Sequence, residues 1–302
     1  MKNIVKTIVG QLTVISALAL IITSCTEDIV LPLQQTYVRL VVDGAITTDT
    51  TAHKVTLSRS GDPLNQNPIT YISNAKVFIT DNADTIKLTE NPQKRGEYLT
   101  KPTVYGLPGH TYKLTVTDVD VNDDGIKESY TAQSTIKKIN KVDSITLMYM
   151  EYSPRMKGWL VNLWGWDIGG RNYYLTKVSI NDTLRTDSIK EIGKAVNAGF
   201  DGKYYPGLSV YYLSNEKLDE ILYTGAKVTL ELDGITEDYY NFIDGFQQEY
   251  TPKTPIFSGP SANVLTNILP KDKAVGYFAA YSVERKSVFF TGKRIGDKAS
   301  NK

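Results

Sequence analysis

The eleven residues from Asp118 to Glu128, DVDVNDDGIKE, set oxygen-bearing side chains at alternate positions. Asp120, Asn122 and Asp124 stand where a calcium loop carries ligands 1, 3 and 5. Gly125 supplies the sharp turn at 6, and Ile126 offers a backbone carbonyl at 7. Calcium is thus the one cofactor these residue types suggest. The pattern then breaks: position 12, which needs a bidentate glutamate, is Thr131, Glu128 falls at position 9, and neither flank has helical periodicity. The same NDDG stretch equally supplies the turn of an acidic hairpin tip between two paired strands.

Other chemistry finds less material. The chain has two histidines, His53 and His110, and one cysteine, Cys25. It carries neither a Gly-x-Ser-x-Gly elbow nor a His-Glu-x-x-His zinc motif. No catalytic residue is assigned, and the protein is not expected to be an enzyme. The glycines of GWDIGGRN (165–172) precede no helix, and the stretch reads as a strand end and hairpin turn. Binding has a better footing. Trp159, Trp164 and Trp166 lie within eight residues, and Trp164 and Trp166 should share one strand face, where core packing competes with ligand contact. In YYPGLSVYY, Tyr204 and Tyr205 sit beside Gly202, Pro206 and Gly207 and read as exposed loop residues. Flat apolar rings with polar handles suit a sugar, a peptide or a protein partner.

Cys25 has its own context. Lys2 and Lys6 open the chain, and an uncharged apolar run follows, too short to span a bilayer comfortably. Ile22, Thr23 and Ser24 before Cys25 resemble the lipobox of bacterial lipoproteins. That resemblance implies a signal peptide over 1–24, cleavage before Cys25, and lipid attachment, palmitate included, at Cys25; the competing reading is an ordinary secretory signal. Several acyl chains on one residue suffice for stable anchoring. Glu27 and Asp28 follow at once, where acidic residues in Bacteroidota lipoproteins resemble an export signal to the outer face of the outer membrane. A solvated tether over 25–35 is the plainer account of the same charges.

Without Lys2 and Lys6, 32 basic residues face 33 acidic ones, so no net field draws nucleic acid. Hydrophobic residues at 41% are enough for sizeable cores, and the absence of a second cysteine leaves packing alone to hold them. Short β-branched or alternating runs separated by Asn, Asp, Gly and Pro predict a mainly β chain. Seven of them, from Tyr37 to Ile136, suggest an immunoglobulin-like β-sandwich over 36–139. Longer runs predict a second β-rich domain over 140–295 with one or two short helices, followed by a tail at 296–302. The clearest helix is TEDYYNFIDGFQQEY, with Thr236 as N-cap and Tyr239, Phe242, Ile243 and Phe246 at helical spacing as a core stripe.

In order, SNAKVFITD, GLPGHTYKLTV, NYYLTKVSIND, FDGKYYPG, AKVTLELDGITEDYYNFI, SANVLTNI and AVGYFAAYSV resemble a family of Bacteroidota lipoproteins, family 4249 of the domains of unknown function. The resemblance runs from about Cys25 to Val288. It implies a surface-exposed, lipid-anchored protein of the outer membrane. It further implies a non-catalytic accessory or ligand-binding subunit for nutrient uptake with a TonB-dependent receptor as partner. The alternative is an adhesin or envelope-structure lipoprotein whose working part is the immunoglobulin-like domain. The family carries no established catalytic residues, and the acidic insertion at 118–128 departs from its expected short hairpin.

Overall fold

Runs of alternating apolar and polar residues become strands because each alternation gives one face to a core and the other to water. In chain order the first half forms β1 (Leu40–Thr47), β2 (Lys54–Arg59), β3 (Lys76–Asp81), β4 (Asp84–Lys87), β5 (Thr89–Glu90), β6 (Glu97–Leu99), β7 (Thr111–Val119) and β8 (Glu128–Thr135). The computed structural model describes residues 38–61, 68–82, 84–250 and 264–292. Cys25, Glu27 and Asp28, with the signal peptide, the tether and the 296–302 tail, lie outside the described residues.

Strands β1, β2, β6 and β5 pair in that order, and β4, β3, β7 and β8 form a facing sheet. Leu40, Val42 and Ile46 of β1 meet Val77 and Ile79 of β3 and Tyr112, Leu114 and Val116 of β7 in one buried core. This is the immunoglobulin-like sandwich.

The second half continues with β9 (Val142–Ser153), β10 (Met156–Trp166), β11 (Tyr173–Ile180), β12 (Thr183–Leu184), β13 (Gly193–Val196), β14 (Tyr204–Ser214), β15 (Lys227–Ile235), α1 (Glu237–Tyr250) and β16 (Ala274–Phe289). Strands β14, β10 and β9 make a three-stranded sheet, while β11, β15 and β16 pair in sequence, with β12 and β13 along the free edge of β11. Trp159, Val161 and Leu163 of β10 pack against Val178 of β11 and Val228 and Leu230 of β15 in a second core. The structure is therefore mainly β, with a single helix among the described residues.

The expected division at 139–140 is bridged by the backbone. Side chains change core between Ile136 and Val142, yet β16 pairs in parallel with β1 from Leu40↔Ala274 to Thr47↔Tyr281. Both halves thus share one nine-stranded sheet. Alternation along β16 serves both sides of that sheet. Ala274, Phe278 and Ala280 enter the first core, and Tyr277 and Ala279 face α1. The helix is capped as its sequence predicts: Thr236 Oγ1 accepts from the Tyr239 N–H at 3.3 Å, and Glu237 and Asp238 meet the positive end of the dipole. Its stripe of Tyr239, Phe242, Ile243 and Phe246 is core, packed on Tyr277 and Tyr281.

The parallel seam needs a glycine. Gly276 sits at φ +90°, and a Cβ there would stand 2.0 Å from the Val42 carbonyl oxygen. Gly276→Ala is expected to cost well over ~1 kcal/mol, since strain and clash act together. A urea midpoint equal to that of the parent would contradict this account of the seam.

Candidate functional site

The acidic insertion is the tip of the β7–β8 hairpin. Asp120 accepts from the N–H groups of Asp124 (3.2 Å) and Gly125 (2.9 Å), and Asp124 accepts from the Ile126 N–H at 2.7 Å. Asn122 donates to Asp124 at 2.9 Å, and Arg59 forks onto the Asp123 carboxylate and reaches the Asp120 carbonyl. Asp120, Asn122 and Asp124, expected to hold calcium, are brought together, and the two carboxylates also bond the loop's own backbone. Among the described residues, no three His, Cys, Asp or Glu side chains are grouped to hold a metal. Backbone at positive φ in Asp123 and Gly125 makes the tight tip.

The aromatic residues lie in the chain's second half. Strand β10 ends at Trp166, and the stretch read as a hairpin turn instead carries the chain from the three-stranded sheet to β11 in the large one. Asp167, only 5% exposed, anchors this crossing. Its Oδ1 accepts from the hydroxyls of Tyr205 (2.6 Å) and Tyr174 (2.9 Å). Its Oδ2 accepts from Asn197 Nδ2 and from the N–H groups of Gly169 and Gly202, all at 2.9 Å. Burial pushes the Asp167 carboxyl up, but the bonds from Tyr205, Gly202, Asn197 and Gly169 outweigh it and hold the pKa down at about 2. Burial, with the neighbouring Asp167 carboxylate, drives the Tyr205 and Tyr174 hydroxyls well above the usual phenol range.

Tyr204 and Tyr205 are not loop residues. They open β14, and period-two alternation sends them to opposite faces. Tyr205 is buried in the second core against Phe200, whereas Tyr204 meets Trp166 edge-on at 5.3 Å on the outer face of the three-stranded sheet. Trp166 is 57% exposed. Trp164 is half-buried on the outer side, donating from Nε1 to Thr146 Oγ1 at 2.9 Å and lying against Gly207. Of the four aromatic candidates, the structure thus gathers Trp164, Trp166 and Tyr204 on one surface and places Tyr205 behind it. Asp167 and Asn197, which fix that arrangement, carried no motif of their own. The hint available was an acid directly after an exposed tryptophan, followed by Gly169, Gly170 and Asn172.

Behind Tyr205, between β14 and the β11–β13 edge, lies a cavity of about 380 Å³. Its wall includes Leu163, Val196, Phe200, Leu208, Val210 and Leu232.

On the helix side of the large sheet sits a second polar assembly that the alternation of β15 concealed. Lys177 Nζ stands 2.8 Å from Glu231 and 2.6 Å from Asp233, beneath the Tyr281 ring. Arg285 bridges Glu231 to Asp49. Asp233 is wholly buried, and neither of its oxygens accepts a well-aligned hydrogen bond. Burial raises its pKa, with Lys177 pulling the other way.

The chain belongs to the family described as Domain of unknown function (DUF4249), whose model matches residues 26–287. Among curated proteins, none matches it. No helix of the described residues is long and apolar enough to cross a membrane.

Proposed function

We propose that the chain is a surface-exposed outer-membrane lipoprotein, anchored through Cys25. In this reading it acts as a non-catalytic accessory or ligand-binding subunit of a TonB-dependent nutrient uptake system. The supporting observation is the pair of exposed Trp166 and half-buried Tyr204, whose neighbours Tyr205 and Gly202 are fixed by the saturated Asp167 hub. A rigid aromatic patch binds with little ordering cost, and such residues dominate interface energetics. The alternative, an adhesin, draws on the immunoglobulin-like half and involves no transporter.

The test is a mild-detergent pull-down of the full chain from native outer membranes, read by mass spectrometry. A large β-barrel transporter is expected with the parent, and roughly tenfold less of it with Trp166→Ala, the effect of losing one interface anchor. A Glu27→Ala, Asp28→Ala variant should lose surface exposure. Recovery of the lipoprotein alone, with surface exposure intact, would move the assignment to adhesion.

A further inference from the structure

The cavity behind Tyr205 has a volume of about 380 Å³, more than twice the ~150 Å³ of an apolar cavity that holds benzene. It also falls within the roughly 300–1,000 Å³ range of small-molecule sites. What it would hold is set largely by the polar side chains in its wall, and each of these has a partner in the protein. The Tyr174 and Tyr205 hydroxyls donate to Asp167. Asn197 donates to Asp167 and the Gly170 carbonyl and accepts from the Asn172 N–H. Lys194 reaches out to Asp244 and Gln247, Ser209 donates to Asn162, and Thr176 donates to the Val210 carbonyl. Leu163, Leu208, Val210, Leu232 and the Phe200 ring supply much of the remaining surface. A charged guest would lose its hydration here, and the one charged side chain in the wall, Lys194, is already paired with Asp244, so the burial would go uncompensated.

We infer that this cavity is a binding site for a compact, uncharged, hydrocarbon-rich molecule of one or two rings, recognised by apolar contact and shape. The inference rests on the ligand-binding side of the function proposed above. Asp167 then serves the cavity as well as the crossing, because saturating both tyrosine hydroxyls keeps the inner wall dry. The outer patch and the inner cavity lie on opposite faces of the same strand, so a partner on Trp166 leaves the cavity free to be filled.

Fluorobenzene is a suitable probe, observed by ¹⁹F NMR against the full mature chain in mild detergent, with detergent alone as background. Saturable line broadening is expected with the parent, with at least a tenfold weaker apparent affinity for Ala195→Phe, which places a ring in the space. 4-Fluorobenzoate, the same ring with a charge, should broaden no more than it does in detergent alone. The inference fails if the parent broadens fluorobenzene no more than detergent does, or if fluorobenzoate binds as well. It fails too if Ala195→Phe retains parental affinity together with the parental near-UV circular dichroism. Should that variant not fold, Leu208→Trp replaces it, and the benzene–benzoate comparison on the parent needs no variant. A parent that recovers the transporter but ignores fluorobenzene overturns only the ligand class. Fluorobenzene binding without transporter overturns only the accessory role.

Discussion

Asp167→Ala is expected to lose about 3–5 kcal/mol of stability, since each buried donor left without an acceptor costs roughly 1–3 kcal/mol. The substitution removes one carboxylate and orphans five donors: two tyrosine hydroxyls, one asparagine amide and two glycine N–H groups. Those donors come from both sheets and from the two connections between them, so the loss should appear as separation of β14 from β11 and not as local fraying. The pH dependence follows from the depressed pKa. The folded carboxyl titrates near 2 and the unfolded one near ~3.9. Its contribution is therefore complete above the unfolded value and is lost as pH falls from about 4 through about 2. Urea unfolding of parent and variant across that window should give converging midpoints; parallel curves would remove Asp167 from its role as hub.

Lys177→Met should also cost about 3–5 kcal/mol near pH 8, because it leaves Asp233 buried without compensation. In the variant, Asp233 escapes by binding a proton, since burial already raises its pKa. A carboxyl whose folded pKa is raised contributes fully below its unfolded value and progressively less as pH rises toward the folded one. The defect should accordingly shrink at pH 5 and deepen at pH 8. Lys177→Met combined with Asp233→Leu should recover most of the loss at both values, Glu231 remaining paired with Arg285. A defect of equal size at both pH values, or a double variant worse than the single, would show that Lys177 acts through packing on Tyr281 instead.

Local patterns carried the elements well. Tyr112, Leu114 and Val116 alternate into the core, and the cap and stripe at 236–246 locate the helix, because period and burial are properties of neighbouring residues. What was hidden depends on partners far along the chain. The Gly169–Gly170 turn announces a change of direction but not which sheet receives the next strand. Pro206 and Gly207 read as loop punctuation, yet the strand runs through them. Gly207, at φ +81°, is the extra residue where the β10–β14 register shifts between Leu163 and Trp164. That bulge let Tyr204 and Tyr205 look like a loop pair when they are the two faces of a strand. Asp233 was hidden for a related reason: alternation in β15 marks Glu231 and Asp233 as the outward face, and only the docking of α1 against that side of the sheet encloses them.

The parallel pairing of β1 with β16 bears on how such a chain can be made. The first sandwich is missing a strand, and its core lacks Phe278 and Ala280, until residues more than two hundred positions downstream arrive. An N-terminal half emerging first from a ribosome therefore has no complete structure to adopt. Pairing over such a separation is slow, because loop closure precedes any reward from contacts. The exposed edge of β1 would be a hazard for aggregation in the meantime. A chain built this way completes its first core only once its last strand is available, and a product truncated before Ala274 is expected to be degraded rather than to survive as a stable first half.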